Sequence, residues 1–173
     1  FDGVIAIDAV GYAGNIDQST VTTNGNSFLG SSAGGYFTGT LSPGANNTYR
    51  HGGGGTSNLV MNTSHADGIS PNTNVRFGAI SNTVSGQSVA LVNGGGNVLL
   101  NRANTYGGTT TFSGVTGQAQ TTAVIGNNRA FSTGTLIANG GAIGSDNAGL
   151  QTDLQPHNIT SNIEFIGDLT FNN

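Results

Sequence analysis

Acid–base catalysis or calcium binding by this chain would have to begin with its eight carboxylates: Asp2, Asp8, Asp17, Asp67, Asp146, Asp153, Glu164 and Asp168. Both chemistries need two or three such groups within reach of one another. No two are spaced i, i+2, the interval that puts side chains on one face of a strand. Each therefore reads as an isolated turn or capping residue, although a chain that coils back on itself leaves pairs from distant segments open. The three histidines, His51, His65 and His157, stand far apart and lack metal-ligand spacing. His51-Gly52-Gly53-Gly54-Gly55 could serve as an oxyanion loop and reads more simply as a glycine-permissive corner. Gly94-Gly95-Gly96 is followed by Asn97 rather than Lys-Ser/Thr, so it is not a phosphate loop. With no tryptophan, Tyr12, Tyr36, Tyr49 and Tyr106 are the only candidates for a sugar-stacking platform. Tyr49 and Tyr106 share an Asn-Thr-Tyr phrase and are expected to pack at equivalent corners. No catalytic, metal or cofactor site is expected.

The elements that would position these residues follow from an unusual composition. Only 7% of the 173 residues are charged, against about 25% in an ordinary soluble domain. Polarity comes instead from Asn, Thr and Ser, which suit turns and pleated surfaces and compete poorly for helix interiors. All positive charge is arginine, at Arg50, Arg76, Arg102 and Arg129, each read as a solvated or paired surface group. With a net charge of −4 there is no footprint for nucleic acid, and an acidic membrane surface is a poor partner. No apolar run is long enough to insert in a membrane as a helix. Cysteine is absent, so disulfides cannot staple the fold.

Short apolar or β-branched segments bounded by Gly and Asn recur along the chain, and none shows a helical apolar period over three turns. Strands are expected at Phe1–Val10, Ser19–Thr23, Phe28–Leu29, Tyr36–Thr40, Thr48–Arg50, Ser57–Met61, Val75–Ile80, Ser88–Val92 and Asn97–Leu100. The second half adds Thr109–Phe112, Thr122–Ile125, Gly134–Ala138, Asn158–Ile166 and Asp168–Phe171. In Val75–Ile80 alternation puts Val75, Phe77 and Ala79 on one face and Arg76 on the other, toward solvent. The class is all-β. Asn24-Gly25, Asn93-Gly94 and Asn139-Gly140 would suit the hairpins of a sandwich. Short strands, recurring phrases and uncharged polar residues favour a solenoid instead. Parallel stacking puts like on like about 4.8 Å apart, where charges repel and Asn or Thr can form hydrogen-bonded ladders.

Asn93–Gly114 (NGGGNVLLNRANTYGGTTTFSG) resembles the autotransporter-associated β-strand repeat, also called the passenger-associated transport repeat. The usual form is a G-x-L-x-L strand, then G-x-N-T-Y-[ST]-G-G-T-T, then a G-T-L strand. The phrase that carries the likeness is Asn104-Thr105-Tyr106-Gly107-Gly108-Thr109-Thr110. Ile125–Leu136 (IGNNRAFSTGTL), Asn139–Gly141 and Ile159–Phe171 resemble the strands that follow, and Phe37–Leu59 resembles a segment found beside such repeats. Departures are the missing Ser/Thr between Tyr106 and Gly107 and the insertion Gly117–Thr121. The resemblance implies a right-handed parallel β-helix in a secreted or surface-displayed bacterial protein.

The expectation is a single solenoid domain over residues 1–173, with 1–36 as an irregular first coil or cap, and roughly seven coils of about 20–25 residues. It acts as an extracellular structural or adhesive module. Its partners would be copies of itself end to end, or a surface glycan or protein. A polysaccharide-active β-helix enzyme and a passive spacer within a larger passenger are the alternatives.

Overall fold

In a computed structural model, residues 3–21, 27–52, 57–63, 72–78, 80–84, 87–92, 95–113, 121–140, 142–145 and 157–172 are described. The chain opens with β1 (Val4–Ala6), β2 (Ile16–Asp17) and a single helical turn, α1 (Gln18–Val21). It continues through β3 (Phe28–Gly30), β4 (Gly35–Phe37), β5 (Leu41–Ser42), a 3-10 turn at Ala45–Asn47, β6 (Thr48–His51) and β7 (Asn58–Met61). Next come β8 (Asn74–Gly78), β9 (Ile80–Val84), β10 (Gln87–Val92), β11 (Asn97–Leu100), β12 (Thr110–Ser113) and β13 (Thr122–Ile125). The last are β14 (Leu136–Asn139), β15 (Ala142–Ser145), β16 (Ile163–Phe165) and β17 (Thr170–Asn172).

Two parallel sheets organise these strands into a β-solenoid. One runs β1-β3-β6-β8-β12-β14-β16, the other β17-β15-β13-β11-β7-β4, and neighbours come from successive passes of the chain. Every ladder in both sheets is parallel and most are in simple register, as in Asn97↔Thr122 to Leu100↔Ile125. Residues 4–6 pair with Phe28–Gly30, so β1 is the first level of the seven-stranded sheet.

The core is a set of columns. In the seven-stranded sheet Leu29, His51, Phe77, Phe112 and Ala138 lie over one another and are all buried. His51 stacks on Phe77 at 5.5 Å between ring centroids, and Phe77 on Phe112 at 5.2 Å and 17°. Phe131 closes the column edge-on, 5.6 Å from Phe112 and 85° to it. Facing them, Leu59, Val98, Ala123 and Ile143 stack from the six-stranded sheet in the same core. A separate apolar column, Val60-Leu99-Val124, is buried on the opposite face of that sheet. Offset and edge-to-face aromatic pairs add roughly 0.5–1.5 kcal/mol each beyond the area they bury.

The expected ladders of uncharged polar residues are present. Asn97 Nδ2 donates to Asn58 Oδ1 at 2.7 Å, and Asn101 Nδ2 to Asn62 Oδ1 at 3.4 Å.

Several expectations are corrected. Ser19–Thr23 was expected as a strand, but the chain makes α1 at Gln18–Val21. Asp17 starts that turn: its Oδ1 accepts from the Ser19 amide at 2.9 Å and the Ser19 hydroxyl at 2.6 Å. Gln18 then does a strand's work with its side chain. Its amide accepts from Arg50 N at 3.1 Å and donates to Arg50 O at 2.8 Å, where β3 and β6 share only the pair Leu29↔His51. β9 and β10 form an antiparallel hairpin, an excursion that belongs to neither large sheet. Asn139-Gly140, which would have suited a sandwich hairpin, is a corner as the solenoid expectation requires: β14 and β15 lie in different sheets, with Gly140 at φ 90°. β15 escaped notice because only Ala142 and Ile143 carry apolar bulk in a Gly-rich run. Asn24-Gly25, Asn93-Gly94 and Ala79 lie outside the described residues.

Replacing Phe112 by alanine empties the centre of the aromatic column. It is expected to destabilise the fold by about 3–5 kcal/mol in equilibrium denaturant unfolding.

Candidate functional site

The motif residues Asn104 to Thr110 form a corner leading into β12, and its polar groups are turned inward. Asn104 is 1% exposed; its Nδ2 donates to Ala130 O at 2.5 Å and its amide to Arg129 O at 3.0 Å. Tyr106 is also 1% exposed, with its hydroxyl bonded to the Thr110 hydroxyl and its carbonyl accepting from Ser132 Oγ at 2.7 Å. Burial pushes the Tyr106 phenol well above its ordinary range, with the Thr110 bond opposing the shift. Thr105 and Gly107 are exposed. At Gly108 an added Cβ would lie 2.3 Å from Asn74 Oδ1 and 2.5 Å from Thr73 O. Asn74 Oδ1 in turn accepts from the Thr109 amide at 2.9 Å and its hydroxyl at 3.2 Å. These bonds tie the motif to itself and to the segments at 73–74 and 129–132.

Tyr49 and Tyr106 were expected at equivalent corners, and they are not. Tyr49 sits within β6, directly after a turn with Asn46 and Asn47 at φ 55° and 51°. Tyr106 precedes β12, separated from it by Gly107, Gly108 and Thr109. Both are buried, which removes them as sugar platforms; Tyr12 and Tyr36 are 40% and 44% exposed. Tyr12 stacks on Phe37 at 6.1 Å.

Among the described carboxylates, Asp8 has the richest surroundings. Its Oδ1 accepts from Ser31 Oγ at 2.9 Å, Ser32 N at 2.7 Å and Ala33 N at 3.0 Å, and its Oδ2 from Ser32 Oγ at 2.5 Å. Those bonds, the Ser32 hydroxyl first, hold its carboxyl far below the usual carboxylate range. The same corner contains a Gly-x-Ser-x-Gly phrase, Gly30-Ser31-Ser32-Ala33-Gly34, that sequence reasoning missed. It is not a nucleophile elbow: the segment joins β3 to β4 with no helix after it, and the Ser32 hydroxyl donates to Asp8. Asp17, Glu164 and Asp168 lie on separate elements, and among the described residues no three His, Asp or Glu side chains could hold a metal. Asp2, Asp67, Asp146, Asp153 and His65 lie outside the described residues.

His51 is fully buried against Phe77, so it is a core residue and not part of an open loop. Arg102 and Arg129 are exposed as expected, whereas Arg50 and Arg76 depart from their expected solvation. Arg50 is only 5% exposed, its Nη1 and Nη2 donating to Thr48 O at 3.1 Å and Ala45 O at 3.0 Å. Arg76 is half-buried and pairs with Arg50 in register across β6 and β8. Burial lowers both guanidinium pKa values, and Arg76 adds to the effect at Arg50. The Arg76 Nε is buried without a hydrogen-bond partner.

No helix among the described residues is long and apolar enough to cross a membrane. No family model matches the chain, and neither the curated proteins nor the solved structures yield a match.

Gly108→Ala is expected to lower stability by about 1–3 kcal/mol, because the new methyl meets the Thr73 backbone and Asn74; a denaturant midpoint measures it. The Asp8 pKa is depressed by folding. Its contribution is therefore present above the unfolded carboxyl value, about pH 3.9, and lost as pH falls from there toward the folded value. Asp8→Asn is thus expected to melt below wild type at pH 6, with the difference shrinking steadily below about pH 4.

Proposed function

We propose that this chain is a structural module of an extracellular or surface-displayed bacterial protein, a rigid β-solenoid that stacks head to tail with copies of itself. The observation that supports the reading is the apolar edge strand at each extreme of the described stack. Among the described residues β1 is bonded by β3 alone. A groove of about 660 Å³ lies there, lined in part by Ile5, Ile7, Tyr12, Ile16 and Val21. Val10 beside it is 91% exposed. At the other extreme, among the described residues, β16 is bonded by β14 alone and β17 by β15 alone, and Phe165, Ile166 and Phe171 are 61%, 64% and 58% exposed.

The two ends suit each other. Both offer parallel edges of the same polarity, β1 carries no charge, and Glu164 is the single charge on β16 and β17 together. Unpaired strand edges over apolar side chains are templates for another chain. A head-to-tail contact of that kind that does not close generates a filament. The resemblance at Asn104–Thr110 supports the surface location. The sides of such a stack would offer a long, repetitive face for adhesion to a surface glycan or protein. The enzymatic alternative has no observation in its favour.

Negative-stain electron microscopy at neutral pH tests the stacking. Rod-like particles that lengthen with concentration are expected, and Phe165→Glu with Phe171→Glu should return them to single units of unchanged melting temperature. Strictly monomeric wild-type particles at all concentrations would refute the proposal.

A further inference from the structure

We propose that the outer face of the seven-stranded sheet at Arg76 is an oxyanion-binding site, built from Arg50, Arg76 and Thr111, for a carboxylate, sulfate or phosphate group. The proposal stands apart from end-to-end stacking and uses the side of the solenoid.

Three observations carry it. The first is register: Arg50, Arg76 and Thr111 are Cα partners on three successive strands and point to the same side, opposite the buried Tyr49, Val75 and Thr110. Parallel neighbours stand about 4.8 Å apart, so the buried Arg50 and the half-buried Arg76 bring two positive charges to one short stretch of the sheet. The second is the state of Arg76. It is half-buried, yet its Nε has no partner, and burial is what lowers its pKa. Buried polar side-chain atoms are usually hydrogen-bonded, and an exception calls for an explanation such as an ion. The next carboxylate up the same column is Glu164, three strands beyond Arg76 at about 14 Å, past Thr111 and Ile137. That is too far for an ion pair.

The third is the way Arg50 is held. Its Nη1 and Nη2 are tied to the carbonyls of Thr48 and Ala45, and the Gln18 side chain bonds its backbone on both sides. That fixes one cation beside the other. A planar guanidinium fork matches the two oxygens of a carboxylate, sulfate or phosphate, and such charge-assisted pairs are the strong ones. The Thr111 hydroxyl, one strand on, can donate to a further oxygen of the same group. Such a ligand would also relieve the repulsion between the stacked cations.

With four arginines in the chain, the Nε–Hε NMR spectrum is simple enough to read residue by residue. Wild-type protein is titrated with sodium sulfate against sodium chloride at constant ionic strength, in parallel with galacturonate and oligogalacturonate. A saturable shift of the Arg76 signal is expected, with Arg102 and Arg129 unmoved, and a melting temperature that rises with sulfate. Arg76→Gln should abolish the rise, and Thr111→Val should weaken binding by about tenfold, as for one lost hydrogen bond to a charged group. A saturable response to any of the three supports the site. Oligogalacturonate binding more tightly than the monomer assigns the ligand to an acidic sugar chain, and a response to sulfate alone assigns it to a free ion. Linear, unsaturating shifts shared by all four arginines would overturn the proposal. So would an Arg76→Gln protein that keeps the sulfate-dependent rise. The wild-type titration decides the matter even if a variant fails to fold.

Discussion

Strands in the two large sheets of this molecule stack on others running the same way, and that constraint governs what their side chains can be. In a parallel in-register ladder a residue meets its counterpart from the next pass at about 4.8 Å. Inward columns can then be aromatic or aliphatic, and the buried series Leu29, His51, Phe77 and Phe112 is one. Boundary columns must be polar without charge, and Asn58 with Asn97 shows the solution: one amide donates to the next. A charge in such a column sits on its like unless the sequence changes. Arg50 over Arg76 is a place where it does not change, a stacked pair of cations of which one is buried and the other half-buried.

The corners answer a different demand. Where the chain passes between sheets its amides and carbonyls lose their ladder partners, and buried ones must find others. Side chains supply them. Asn104 bonds the Ala130 carbonyl, Asp8 gathers the Ser32 and Ala33 amides, and Gln18 bridges both backbone groups of Arg50. Glycine serves where two corners approach too closely for a Cβ, as Gly134 does over the Gly108 carbonyl, where an added Cβ would stand 1.9 Å away. Among the described residues, polar groups such as Asp8, Gln18 and Asn104 are engaged in this way.

That division explains what was legible in the sequence. Period-two segments, punctuation by Gly and Asn, and the scarcity of charge were enough to indicate parallel stacking. They also placed strands such as Thr122–Ile125 correctly. Repeated phrases misled. Asn-Thr-Tyr occurs inside β6 once and ahead of β12 once, because the residues after the tyrosine decide whether the strand starts at once or after a glycine pair. The Arg50–Arg76 pair was invisible for a related reason. Residues so far apart in sequence become neighbours only when the register is known, and register is set by coil lengths that vary with excursions such as the β9–β10 hairpin. Gln18 was unreadable too, since nothing in its local sequence signals a side chain standing in for backbone.

The same logic bears on what such a molecule can do. A cleft enzyme needs groups whose protonation is poised near the working pH and whose partners come from several directions. The best-surrounded of the described carboxylates, Asp8, is driven below the usual carboxylate range by bonds that hold its corner together, and the Ser32 hydroxyl beside it is a donor to that carboxylate. A group committed to keeping one level attached to the next is a poor acid or base, because any proton it accepts loosens the stack. What such a ladder does not itself use, among the described residues, is the edge of its outermost strands and the column where Arg50 and Arg76 coincide.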